Sequence, residues 1–446
     1  MALTGTMAQA ATLEVTKSSD MYDGICDADC SLRDAITAAN ASPGADTVVL
    51  QQDVYLLSIA TRQPGLYDEN HVDEDENATG DLDITDDLLL RGVQGFTAID
   101  GQRIDRVFDI AHGATVEFRD IEIRGGHTPA RGAGIANAGW LRLTRITFRD
   151  NAAIGQYYQP GQGGAIFNEG VLSMAGSHFL RNHAGGNDSV VGEGGAIYNT
   201  ARLNMRTTRF VDNLAADPHE RGGGGAIMNR GGFVTIDRTF FSGNATEDLG
   251  YGGAIANDDD GRMRIVNSTI SGNRSGEPPY GGAVANGNAD RRNDGEVTLH
   301  FVTLADNDGG GIYNNGQMSV LDSIVGGNYE DYGGDVPDYS GDINCRNFGG
   351  IRAAAALMAE GRACKGTIAA PNESFMTTYL YPLGNNGGFA PTHALRYAGH
   401  VTLDSARDFE GNCPPTDQRG APRPADGNYD GVVRCDLGAF ERTQDD

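Results

Sequence analysis

Pairs of apolar residues set two apart recur along the chain: Leu141/Leu143, Leu172/Met174, Leu203/Met205, Val234/Ile236, Met263/Ile265, Val297/Leu299 and Met318/Val320. Period-2 alternation over such short runs predicts strands. Five residues after each pair stands another apolar residue: Phe148, Phe179, Phe210, Phe241, Ile270, Leu304 and Val325. Three residues further on comes an asparagine: Asn151, Asn182, Asn213, Asn244, Asn273, Asn307 and Asn328. Ahead of each pair a glycine-rich strand ends in another asparagine, at Asn137, Asn168, Asn199, Asn229, Asn257, Asn286 and Asn314, with spacings of 31, 31, 30, 28, 29 and 28 residues. Val116, Phe118 and Ile123 keep the same frame upstream and mark a degenerate earlier unit.

The five-residue step never varies, whereas the lengths at 152–162, 183–193, 214–223, 245–251 and 274–280 do. A constant frame with insertions at one place is the mark of a solenoid. Units of this length with short strands and no helical period predict an all-β fold, a parallel β-helix whose coils stack about 4.8 Å apart. Equivalent residues then form columns. Phe148, Phe179, Phe210 and Phe241 are expected to stack inside the coil, and both asparagine series to form amide ladders. The paired glycines at the start of each unit suit turns at positive φ.

A solenoid needs its ends covered. At the N-terminus, Ser31 is a helix-capping residue, and Leu32, Ala35, Ile36 and Ala39 fall on one helical face. After Asn328 the frame decays, and a short helix is expected over 351–360. The expected organisation is a signal-peptide remnant or disordered tail (1–11), an N-terminal helical cap (12–46), the β-helix (47–328), and C-terminal coils with a disulfide-containing cap (329–446).

Composition refines this picture. Glycine contributes 64 of 446 residues without a collagen period. Acidic residues outnumber basic ones 61 to 34, a net charge of −27, and only two residues, Lys17 and Lys365, are lysines. Nucleic acid is therefore not an expected partner. No stretch is long and apolar enough for a transmembrane segment. The six cysteines fall in three local pairs, Cys26 and Cys30, Cys345 and Cys364, Cys413 and Cys435. An even number suits disulfides in an exported protein, with connectivity open.

The stretch Cys30-Ser31-Leu32-Arg33-Asp34-Ala35-Ile36 resembles the signature of bacterial exported proteins with a CSLREA domain, with Asp34 where that signature has Glu. The run from Asp417-Gln418-Arg419-Gly420 to Cys435-Asp436-Leu437-Gly438-Ala439-Phe440-Glu441 is similar to the closing motif of the same proteins, called choice-of-anchor Q proteins. The central units resemble the GGAI and FxxN repeats of polymorphic outer-membrane proteins, which are adhesins. These resemblances imply secretion or a place on a bacterial cell surface, and a right-handed parallel β-helix, with no defined activity. No β-barrel or sorting tail follows Glu441, which favours release over anchoring.

Two features carry candidate chemistry. Asp426-Gly427-Asn428-Tyr429-Asp430-Gly431 matches the first half of a calcium loop, with the carbonyl of Val432 as a further ligand and Asp436 in place of the missing glutamate. Asp258-Asp259-Asp260 and the group Asp81, Asp83, Asp86 and Asp87 are weaker calcium candidates. The second feature is the wall of insertions on one flank. Tyr157, Tyr158, Asp188, Asp248, Tyr251 and Tyr280 combine aromatic rings with carboxylates, which suits an extracellular glycan or another cell-surface partner. The first functional expectation is thus an adhesin-like or polysaccharide-binding protein. The alternative is a polysaccharide lyase or glycoside hydrolase in the same groove, by analogy of fold. It would use His219, Arg221, Tyr157 and Tyr251, or the carboxylates Glu193, Asp217 and Glu220.

Overall fold

The computed structural model describes residues 10–60, 77–129, 131–156, 159–186, 190–216, 222–247, 249–276, 282–287, 295–331, 343–359, 364–397, 400–407, 413–443 and 446. The chain winds into an all-parallel β-helix. Each coil contributes one strand to each of three long sheets of 12, 12 and 10 strands, here called A, B and C. A shorter five-stranded sheet lies where the insertions leave the coil.

The register follows the sequence frame. In sheet A the strands Trp140–Thr144, Val171–Ala175, Arg202–Arg206 and Phe233–Asp237 align so that Leu141, Leu172, Leu203 and Val234 share one inward column, and Leu143, Met174, Met205 and Ile236 the next. In sheet B, Phe148, Phe179, Phe210 and Phe241 are fully buried and stacked, with centroids 4.8, 4.6 and 4.9 Å apart. The first asparagine series runs unbroken from Asn137 to Asn314, each Nδ2 donating to the next Oδ1 at 2.6 to 2.9 Å. The second runs from Asn151 to Asn328 at 2.8 to 3.0 Å. These amides satisfy buried backbone groups at the corners, where an apolar side chain would leave them without partners. At the corner into sheet C, Gly194 has φ 65°, and a Cβ on the following Gly195 would collide with the Gly225 carbonyl. Both glycines are thus required by the turn.

The expected helix over 351–360 does not form. Gly350–Ala354 extends sheet A and Leu357–Ala359 extends sheet B. Asn344 and Asn347 prolong the two ladders, accepting from Asn328 and Asn314 at 2.9 and 2.6 Å. The run Ala353–Ala356 favours a helix in isolation, but pairing with the coil below overrides that propensity.

Both ends are covered. The helix Leu32–Ala41 begins with a capping box between Ser31 and Asp34. Arg33, fully buried beneath it, pairs with Asp20 at 2.9 Å and donates to the carbonyls of Asn77, Gly80 and Asp81. The motif that resembles a CSLREA signature therefore fastens the cap to the first coils. The C-terminal segment lies on the outer face of sheet B. Gln418 accepts from Thr269 at 2.6 Å, and His393 hydrogen-bonds Ser271 at 2.8 Å. The cysteines bond as Cys26–Cys30, Cys345–Cys364 and Cys413–Cys435.

This covering segment reaches back to Phe389, whose ring meets His178 edge-on at 5.0 Å. Burial, with Arg209 nearby, pushes the His178 imidazole down to about 4. The ring is therefore neutral in the folded protein, while the unfolded chain takes up a proton near pH 6.5. Its contribution to stability is complete above about pH 6.5 and is lost as pH falls towards about 4. The stability advantage of the wild type over His178→Gln is expected to shrink across that window in denaturant melts. An advantage independent of pH would show that His178 is free to protonate in the fold.

Candidate functional site

Three places concentrate chemistry. The first is the flank of insertions. Its described part is packed rather than open. Phe167, Tyr198, Met228, Tyr251 and Tyr313 form an apolar layer outside sheet C, with Phe167 and Tyr198 stacked at 5.5 Å. Tyr251 is 1% exposed and donates from its hydroxyl to Asp258 at 3.2 Å. Glu193, 3% exposed, accepts from Gln162 at 2.8 Å and pairs with Arg230 at 3.1 Å. Arg230 also reaches Asp258 at 3.7 Å and Asp259 at 2.9 Å. Burial pushes the Glu193 carboxyl up, with Arg230 pulling it back. Burial alone would lower Arg230, but Glu193, Tyr198 and Tyr251 hold it above its ordinary value. Burial likewise raises the Tyr198 phenol to about 12.

Two residues expected on the wall take part in this arrangement. Glu193 and Tyr251 are enclosed and engaged, so neither offers a ring or a carboxylate to a glycan. Asp258 and Asp259 serve Arg230, and Asp81 pairs with Arg106 at 3.0 Å. Tyr157, Tyr158, Asp188, Asp217, His219, Glu220, Arg221, Asp248 and Tyr280 lie outside the described residues. Sequence reasoning missed Arg230, the cation that binds this layer together. Its one signal was a basic residue directly after Asn229, where neighbouring units carry Glu169, Thr200 and Asp258.

The second place is the C-terminal acidic loop. Carboxylate oxygens of Asp404, Asp426 and Asp430 lie within 4.8 Å of one another. The loop is shaped by its own side chains, Asp426 accepting from the amides of Asp430 and Gly431 at 3.2 and 3.0 Å. Asp404 is largely buried, and burial raises its carboxyl. Asp436, expected as a ligand, instead points inward and accepts from the amides of Asp404 and Arg442, both at 2.7 Å. Burial beside Glu441 pushes its carboxyl far up. Asp404 stands where Asp436 was expected, and its distance of 22 residues from Asp426 left no local signal.

The third place went unnoticed in the sequence. The outer face of sheet A carries an open groove of about 470 Å³. Its floor is the strand Val171–Ala175, where Ser173 and Ala175 are short, and its walls are the arginine-bearing strands Trp140–Thr144 and Arg202–Arg206. Arg142, Ser173, Asn204 and Thr235 form a polar column across four coils. Trp140 and Phe233 stand in the adjacent outer column, 61% and 54% exposed.

Among the described residues, no helix is long and apolar enough to cross a membrane. No family model matches the chain, and no curated protein does. Among solved structures it is similar to a crystal structure of pectate lyase Pel9A, at 14% identity and a TM-score of 0.41 over 98% of each chain.

Proposed function

We propose that the chain is an exported glycan-binding β-helix that receives an extended polysaccharide along the outer face of sheet A. The observation that carries this reading is the open groove across successive coils, with Trp140 and Phe233 exposed in the neighbouring outer column of the same sheet. An aromatic ring offers a flat apolar face to a pyranose, and hydroxyls and amides at Ser173, Asn204 and Thr235 suit sugar hydroxyls. The coil rise of about 4.8 Å is comparable with one sugar residue of an extended chain, so a regular polymer meets repeating partners. Three disulfides and the two end motifs support export. Binding is favoured over catalysis because the described members of the enzymatic set, Glu193 and Tyr251, are enclosed.

Affinity electrophoresis against a panel of charged and neutral polysaccharides tests this. Trp140→Ala and Phe233→Ala are each expected to weaken retention by about tenfold, in line with the loss of a stacking ring, without changing the melting temperature. Retention unaltered by both would remove the groove as the binding face. Release of unsaturated or reducing ends in the same incubations would establish the enzymatic alternative.

Calcium is proposed at Asp404, Asp426 and Asp430, with Asn428 beside them. Calcium is expected to raise the melting temperature of the wild type, and Asp426→Asn/Asp430→Asn to abolish that rise. An equal rise in the variant would place any calcium elsewhere.

A further inference from the structure

Sheet A contradicts the charge of the chain that builds it. The protein carries −27 overall, yet the strands from Leu88–Arg91 to Phe233–Asp237 present exposed Arg91, Arg142, Arg202 and Arg206 on their outer face. The guanidinium groups of these four make no hydrogen bond or ion pair among the described residues. The same strand positions hold two acids, Glu117 in register beside Arg142 and Asp237 beside Arg206. Arg119 and, to a lesser extent, Arg142 lower the Glu117 carboxyl, but each acid hydrogen-bonds an arginine other than the one in register with it. Glu117 accepts from Arg119 at 2.6 and 2.9 Å, and Asp237 accepts from Arg238 at 3.1 Å. Two exposed arginines beside sheet B are paired, Arg145 with Asp120 at 2.6 Å and Arg181 with Asp150 at 2.9 Å.

We infer that the ligand of the sheet A groove is an anionic polysaccharide, its carboxylate or sulfate groups held by Arg142 and Arg206. This rests on the glycan-binding reading above and adds the charge of the substrate. Arg142 and Arg206 stand two coils apart, about 9.6 Å along the axis at the strand spacing of a parallel stack. Ser173 and Ala175 between them leave the floor low. An extended polymer lying along the axis therefore meets Arg142 and, two coils on in the neighbouring column, Arg206, with the Ser173 hydroxyl between them and the Asn204 amide beside Arg206. A guanidinium fork suits planar carboxylate and sulfate oxygens. Acidity over the rest of the surface repels polyanions from other faces. It also makes a thick, doubly charged duplex a poor fit, because its phosphates would spread beyond the arginine strip.

Isothermal titration with polygalacturonate, heparin, uncharged dextran and duplex DNA tests the assignment, comparing Arg142→Gln/Arg206→Gln with the control Arg149→Gln/Arg181→Gln. The control removes the same charge from the neighbouring sheet. Polygalacturonate, heparin or both are expected to bind the wild type, and which of them binds decides between carboxylate and sulfate. The groove variant is expected to lose roughly a hundredfold in affinity, about tenfold for each charge-assisted contact. Its dependence of affinity on salt should become shallower, while the control stays within about twofold. Equal losses in both variants would reduce the effect to net charge and overturn the inference. Dextran bound as tightly as the polyanions would overturn it while leaving glycan binding in place. Duplex DNA bound more tightly than either polyanion would overturn the polysaccharide assignment. Failure to bind any polysaccharide would overturn both this inference and the reading beneath it.

Discussion

Asn213→Leu is expected to destabilise the central coils by about 3–5 kcal/mol, although it adds apolar volume to a fully buried position. Asn213 Oδ1 accepts from both the backbone amide and Nδ2 of Asn182, at 3.0 and 2.9 Å. Its Nδ2 donates to the Phe179 carbonyl at 3.0 Å and to Asn244 Oδ1 at 2.8 Å. Leucine breaks four hydrogen bonds at once; it leaves two donors of Asn182 and the Phe179 carbonyl short of a partner in a space closed to water, while Asn244 Oδ1 keeps the Asn213 backbone amide at 3.1 Å. Each such group costs about 1–3 kcal/mol, and burying leucine returns only about 2 kcal/mol. Because each coil touches only its neighbours, the damage should be local. Hydrogen exchange should lose protection over residues 171–246 and keep it near the two caps. Thr235→Leu, on the outer face of sheet A, is the control and should cost less than about 0.5 kcal/mol. An Asn213→Leu penalty as small as that of the control would mean that the ladder is not a source of stability.

The same residues explain why the fold was legible in the sequence. A column repeats one side chain in one environment, so Phe148, Phe179, Phe210 and Phe241, and both asparagine series, print their register directly into the spacing. Coils were expected beyond Asn328, but the strands within 351–360 read as a helix because the segment 329–343 breaks the period and Ala353–Ala356 mimics one. The candidate sites were less legible for a physical reason. Inward positions are fixed by the core and repeat. Outward positions vary from coil to coil, and their meaning depends on which neighbours the stacking brings beside them. Arg142 and Arg206 are ordinary polar partners in an alternating strand until Ser173 and Ala175 are placed between them. The two end motifs were visible, but their charged residues build caps. Asp417 accepts from Arg419 at 2.8 Å and from the amides of Ala421 and Glu441, and Glu441 accepts from those of Ala425 and Asp436. A motif rich in charge signalled structure there, whereas an unmarked strand face holds the groove.

Arg230→Met is the second substitution with a large expected effect, about 3–5 kcal/mol, because it strips the cation from a buried group of acids. Glu193 and Asp258 are 3% and 1% exposed, and both face Arg230. Without it, burial is opposed at Glu193 only by the Gln162 amide at 2.8 Å, so its carboxyl should rise further than it already does. A folded-state pKa above the unfolded value of about 4.3 gives stability that is intact in acid and lost as pH rises. Arg230→Met should therefore approach the wild type near about pH 4.5 and fall furthest below it near about pH 7.5. Adding Glu193→Gln should recover most of the loss at neutral pH, since a glutamine beside Gln162 continues an amide pair that needs no counter-charge. The double variant should also lose the pH dependence of the single one. A single variant with a pH-independent deficit, or one that Glu193→Gln makes worse, would mean that the deficit arises from lost packing around Tyr198 and Tyr251 and not from an acid left without its partner.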